Sequence, residues 1–274
     1  MSNNPLKQYF RRPGVYLKLP SMGKGYPEGS LEMTETGELP VYPMTAIDEI
    51  TSRTPDALYN GISVTHIIQS CVPNIKDPWQ ISALDLDSIF LAIRAASGSG
   101  TIDIDTTCPN CKEVATYGLE IPRLLSSLKA ADYENELQIN DLLIKFRPIT
   151  FKEINDASLA QFEVSRLYQN ITTAQTDEEK LEISQNALKS ITELTMNIIA
   201  KGIEYIKTPS VIVTEEEHIL DYLQNCDKNS YTRIRDYSTE LKSQSELRPV
   251  HITCDNCSHE YDQPIQLNPS DFFG

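Results

Sequence analysis

Apolar residues change their spacing several times along this chain, and each change marks an element. Between Met44 and Ser97 they recur at helical spacing, most clearly in LDLDSIFLAIRAAS, where Leu86, Ile89, Phe90 and Ile93 share one face and Gly98 ends the helix. Thr45, with Asp48 three residues on, can cap a helix over TAIDEITSR; Thr54-Pro55-Asp56 starts a second short one, and ISVTHIIQSC follows Gly61. Strict alternation then takes over in TIDIDTT and returns in EVATYGLEI, with Cys108-Pro109-Asn110-Cys111 between them, which predicts strand, tight turn, strand. ELQINDLLIKFRPI predicts another hairpin, turning at Asn140-Asp141. Residues 150–206 read as helices. Thr150 and Glu153 make a capping box, and from Asp177 onward Leu181, Leu188, Ile191, Leu194, Ile198 and Ile199 form an apolar stripe. SVIV predicts a short strand, Thr214 with Glu215, Glu216 and Glu217 opens a helix, and a further helix covers roughly residues 230–244. PVHIT and EYDQPIQL then flank Cys254-Asp255-Asn256-Cys257, repeating the strand–CxxC–strand unit.

Before all of this, Pro and Gly punctuate residues 1–45 so densely that no long helix can form. Tyr9, Phe10, Tyr16, Tyr26 and Tyr42 are threaded through that stretch. It reads as an extended arm lying on a surface, either that of its own core or that of a neighbour.

The 274 residues, 40% of them hydrophobic, suffice for a substantial core. A formal net charge of −15, from 39 acidic and 24 basic residues, disfavours binding to a phosphate backbone. The charge is uneven. Met1 to Pro27 contains no Asp or Glu but holds Lys7, Arg11, Arg12, Lys18 and Lys24. Tyr9, Phe10, Arg11, Arg12 and Tyr16 are therefore the candidate partner-binding residues, a basic and aromatic surface on an acidic body. The opening lacks the apolar core of a signal peptide, and no window approaches the ~18 apolar residues of a membrane span. Synthesis in a reducing cytosol, away from membranes, is the expectation.

In such a compartment cysteines serve more often as metal ligands or buried thiols than as disulfides. Two CxxC pairs at hairpin tips supply four thiolates, and a two-residue spacer lets one tight turn present two sulfurs to one ion. Cys108, Cys111, Cys254 and Cys257 thus predict one structural zinc, with no open position for catalysis. A redox CxxC normally precedes a helix, whereas both pairs here lie between strands. Two separate disulfides, free thiols, and His251 or His259 as alternative ligands stay open at this point. Cys71 and Cys226 read as small buried apolar residues.

The resulting fold class is α+β, mainly helical, with a zinc ribbon formed by two distant CxxC β-hairpins and an extended Pro/Gly-rich N-terminal arm. Residues 1–44 form the arm, 45–100 a helical segment, 101–122 and 248–268 the two ribbon halves, and 123–247 a mainly helical insertion with a short hairpin. No GxxxxGK[ST], GxGxxG, HExxH or GxSxG motif is found, and Asp103 and Asp105 fall on the solvent side of an alternating strand. The residues give no support to an enzyme and imply no small-molecule substrate.

NPLKQYFRRPGVYLKLPSMGKGYPEGS, ELPVYPMTAIDEI, TPDALYNG, IIQSCVPNIKDPW and DLDSIFLAIRAAS, followed by the CPNC element, form an ordered series of uncommon strings. The series resembles the baseplate hub protein family of T-even-like contractile-tailed bacteriophages. That resemblance implies a non-enzymatic, late-expressed tail protein, made in the cytoplasm of the infected bacterium and docking onto other baseplate hub or tail proteins. It would be a structural subunit of the virion baseplate or an assembly factor. A tail-assembly chaperone that leaves the finished particle, or a zinc-ribbon nucleic-acid binder, are the alternatives.

Overall fold

The protein is described from a computed structural model covering residues 5–52, 61–169, 176–265 and 267. The short helix expected from Thr54-Pro55-Asp56 lies outside the described residues. The chain divides into two compact units, one built from residues 1–130 and 245–274, the other from 131–244.

In the first unit a single 3-10 turn, Pro5–Tyr9, precedes strand β1 (Val15–Leu17), which pairs antiparallel with β2 (Leu39–Val41). Leu17, Leu19, Leu39 and Val41 are buried, so this part of the arm covers its own core. Helices α1 (Ala46–Ser52), α2 (Ile62–Cys71) and α3 (Ala83–Ala96) follow. α3 packs against both β1 and β2. Leu84, Leu86, Ile89, Phe90, Leu91, Ala92 and Ile93 are buried on it, more than one face, as expected of a central helix. Gly14 allows the close approach where the arm meets this helix: a Cβ there would sit 3.0 Å from the Ala96 carbonyl oxygen.

Two buried carboxylates tie the arm down. On α3, Asp85 accepts from the Ser21 N–H at 2.8 Å, from the Ser21 hydroxyl, and from the Tyr26 hydroxyl at 2.9 Å. Asp48 caps α1 reciprocally with Thr45: its carboxylate takes the Thr45 N–H at 2.8 Å, and Thr45 Oγ1 takes the Asp48 N–H at 3.2 Å. Asp48 also faces Arg11 at 3.4 Å. The Arg11 guanidinium donates further to the carbonyls of Pro43 (2.6 Å) and Ser70 (2.7 Å) and to the Ser70 hydroxyl (2.8 Å). A charge desolvated in this way is held by its partners and serves the fold.

After α3 come strands β3 (Thr101–Thr107) and β4 (Val114–Glu120), then α4 (Ile121–Ser127), whose Pro122 sits in the first turn.

The second unit opens with β5 (Glu136–Ile139) and β6 (Leu142–Phe146), joined at Asn140 with φ 51°. Helices α5 (Phe151–Gln169) and α6 (Asp177–Lys201) pack on each other. The capping box forms: Thr150 N–H reaches the Glu153 carboxylate at 2.8 Å, and Glu153 N–H reaches Thr150 Oγ1 at 3.3 Å. The apolar stripe of α6 is buried toward its end, at Ile199, while Leu181, Leu188 and Ile191 are exposed.

One expectation is corrected here. Helix does not continue to residue 206; α6 stops at Lys201, and Ile203–Lys207 is strand β7. Gly202 breaks the helix, and burying Ile203 and Ile206 against β6, with Ile144 opposite Ile206, outweighs helix propagation. β8 (Ile212–Val213) completes an antiparallel sheet of order β5-β6-β7-β8. Helices α7 (Glu216–Asn225) and α8 (Lys228–Ser245) add Ile219, Leu223, Ile234 and Leu241 to its core. The chain then returns to the first unit with β9 (Val250–Thr253) and β10 (Glu260–Gln263). The fold is α+β, with helices around small antiparallel sheets.

Asp87 on α3 gives a pH test of the first unit. Burial, and secondarily repulsion from Glu246, raises its carboxyl from 3.8 to about 6. The folded state therefore holds this proton more tightly than the unfolded chain, and stability is lost as pH rises through that value. Asp87→Asn is expected to gain about 2–3 kcal/mol at pH 7, falling by about half at pH 5. Urea unfolding at both pH values measures this; a gain independent of pH contradicts it.

Candidate metal centre

Each CxxC is the turn of a two-stranded antiparallel ribbon. β3 and β4 are in register from Thr101↔Glu120 to Thr107↔Val114, which delivers Cys108 and Cys111 at the tip. β10 and β9 are in register from Glu260↔Thr253 to Gln263↔Val250, which delivers Cys254 and Cys257. The two turns have the same backbone design. Cys108 N–H bonds the Glu113 carbonyl at 2.8 Å and Lys112 N–H returns to the Cys108 carbonyl at 3.0 Å; Cys254–His259 and Ser258–Cys254 repeat this at 2.9 and 2.8 Å. Lys112 and Ser258 take matching positive φ values of 62° and 55°. The unit repeated in the sequence is thus repeated in three dimensions.

The ribbons face each other. Thr106, buried on β3, donates to Gln263 Oε1 at 2.7 Å and lies 3.3 Å from the Tyr261 hydroxyl, while the Tyr117 hydroxyl reaches the Thr253 carbonyl at 3.4 Å. This brings all four sulfurs within 4.8 Å of one another. Cys108 Sγ lies 3.7 Å from Cys257 Sγ, and Cys111 Sγ lies 3.7 Å from Cys254 Sγ.

Those separations speak against disulfides. A disulfide needs about 2.05 Å between sulfurs. Four sulfurs at about 2.3 Å from a central zinc stand about 3.8 Å apart along each tetrahedral edge. The observed 3.7 Å matches the second arrangement and excludes the first in this state. The four cysteines can therefore hold a metal ion.

Cys108 and Cys254 are buried, and Cys111 and Cys257 half-buried. The Asn110 amide donates to Cys257 Sγ at 3.6 Å, and the Asn256 amide to Cys111 Sγ at 3.7 Å. The Asn110 bond, followed by the His259 N–H, pulls the Cys257 thiol down to about 6. At Cys254 the Cys257 N–H also favours the thiolate, yet burial and the neighbouring Cys111 and Cys108 sulfurs raise it to about 11.

Neither histidine belongs to this group of ligand atoms. His251 pairs with Asp262 at 3.0 Å, and His259 stacks on Tyr261 with ring centroids 6.2 Å apart. Cys71 is fully buried, its thiol pushed up to about 12 first by burial and then by Asp48; Cys226 is half-buried, its thiol also raised by burial. Asp103 and Asp105 face solvent on β3.

The candidate partner residues do not all face solvent. Tyr9 (77% exposed), Phe10 (58%) and Tyr16 (63%) project outward, and Arg12 is exposed. Arg11 turns inward to its ring of acceptors and lies 5.8 Å from the centre of the Tyr42 ring. Its role was not readable from the sequence, because its acceptors lie 32 to 60 residues away. No described helix is long and apolar enough to cross a membrane.

The α+β chain brings distant segments together at four cysteines and leaves Tyr9, Phe10 and Tyr16 exposed. Residues 43–274 match the family model described as T4 bacteriophage base plate protein, and the chain belongs to that family. The match begins beyond most of the arm. No match is found among curated proteins or solved structures.

Cobalt(II) added to the metal-free protein is expected to produce thiolate-to-cobalt charge-transfer absorption that saturates at one ion per chain. Cys254→Ser with Cys257→Ser should abolish that absorption while Cys71→Ser leaves it intact. Equal spectra for all three proteins would rule the cluster out as a metal site.

Proposed function

We propose that this protein is a non-enzymatic component of the phage tail baseplate hub, acting by docking onto other hub or tail proteins, and that its four clustered cysteines hold one structural zinc. Membership of the base plate family over residues 43–274 carries the functional reading. The zinc reading is supported by the 3.7 Å sulfur separations and by a donor set of four soft thiolates, which suits a closed tetrahedral site and leaves no position for substrate. The ion's work is to lock the β3–β4 ribbon to the β9–β10 ribbon and so hold the first unit closed. Exposure of Tyr9, Phe10 and Tyr16, beside Arg12, supports the arm as a partner contact, with aromatic rings supplying rigid contact area and a cation suited to acidic neighbours.

Quantitative mass spectrometry of purified particles tests the placement. A stoichiometric signal is expected for a hub subunit; complete absence would instead assign the chain to an assembly factor that departs. The arm is tested by the combined variant Tyr9→Ala, Phe10→Ala, Arg12→Glu, which is expected to weaken co-purification with tail proteins from infected cells by about tenfold or more. Its melting temperature should stay unchanged. Arg11→Ala, in contrast, should cost about 2–4 kcal/mol of stability, because Asp48 loses its charged partner. If the triple variant still co-purifies at the wild-type level, the arm is not the contact.

A further inference from the structure

The two turns share an asparagine at their third position, and both asparagines are used in one way. Asn110 sends its amide across the joint to Cys257 Sγ at 3.6 Å, and Asn256 sends its own back to Cys111 Sγ at 3.7 Å. Neither bond stays inside its own ribbon. Each reaches the second cysteine of the opposite turn, and these are the two half-buried sulfurs. Cys254, a first cysteine, takes N–H groups from Asn256 and Cys257 within its own turn. The side-chain bonds therefore add donors to sulfurs at the outer positions, from across the joint.

Four thiolates around a divalent cation leave negative charge in excess, and the bound ion is favoured by whatever disperses it. An N–H directed at a thiolate is a charge-assisted hydrogen bond, about twice as strong as its neutral counterpart. It is strongest when the sulfur is ionised, the state that a metal requires. The reciprocal pair also links the two ribbons across the joint.

We propose that Asn110 and Asn256 are positioning residues for the metal, which disperse thiolate charge across the joint and thereby set the affinity of the site. The inference rests on the reading of the four cysteines as metal ligands.

The test uses Asn110→Asp and Asn256→Asp, singly and together, in the full chain. Aspartate keeps the size and the turn preference of asparagine but replaces the donor with an acceptor, so a role confined to shaping the turn would survive the change. Zinc affinity is read by competition with a chromophoric chelator, and cobalt(II) spectra are recorded on the same proteins. The double variant is expected to bind zinc about 10- to 100-fold more weakly. Its thiolate-to-cobalt band should move to longer wavelength, because a sulfur relieved of its N–H gives up an electron more easily. Each single variant should show a smaller change in the same direction, and these decide the matter should the double variant fail to fold. Unchanged affinity together with an unshifted band overturns the proposal. A wild-type chain that takes up neither zinc nor cobalt overturns the metal reading, and the proposal with it, which separates that failure from the first.

Discussion

The first unit brings four sulfur atoms together. Its two segments are separated in sequence by the whole of the second unit, and Cys111 and Cys254, 143 residues apart, come within 3.7 Å. Closing so long a span is less unfavourable than it sounds, since each doubling of loop length adds only about 0.6 kcal/mol. The larger demand is enthalpic. Two-stranded ribbons are marginal by themselves, and β3–β4 and β9–β10 each bury little. Thr106, Gln263 and Tyr117 link them through hydrogen bonds, and at the sulfurs both ribbons contribute equivalent groups to a common point.

The rest of the first unit is held by a different device. Besides the burial of Leu17, Leu19, Leu39 and Val41, the arm is pinned by polar networks: Asp85 gathers Ser21 and Tyr26, while Arg11 gathers Pro43, Asp48 and Ser70. Such networks are directional, which suits a segment whose Pro and Gly content leaves it few helical or ladder hydrogen bonds. The second unit, by contrast, is a continuous stretch of chain with a conventional core, where Phe146 and Ile144 of the sheet meet Ile219, Leu223 and Ile234 of the helices.

Features set by neighbouring residues were legible in the sequence. The capping boxes at Thr45 and Thr150, the hairpin at Asn140, and the paired CxxC turns all depend on groups within a few positions of one another. Features set by distant partners were not. Ile203–Lys207 follows directly on a helix, and its pairing with β6, far earlier in the chain, and with β8 beyond it makes it a strand. β1 is three residues long and is defined by β2 and α3. Arg11 looks like any surface cation until its acceptors are in place. The shared asparagine of CPNC and CDNC was visible in the sequence, but nothing local indicates that its amide points across to the other turn.

The discontinuity of the first unit has a consequence for its birth on the ribosome. At about 5–20 residues per second, Cys111 exists for about 7 to 30 s before Cys254 is made. Helical and hairpin elements form in microseconds, so the intervening segment has ample time to collapse around its own core during this wait. The early turn spends that interval without Cys254 and Cys257, its thiols open to stray oxidation. The order in which translation delivers these side chains thus makes the nascent chain, rather than the finished one, the form most exposed to chemical error.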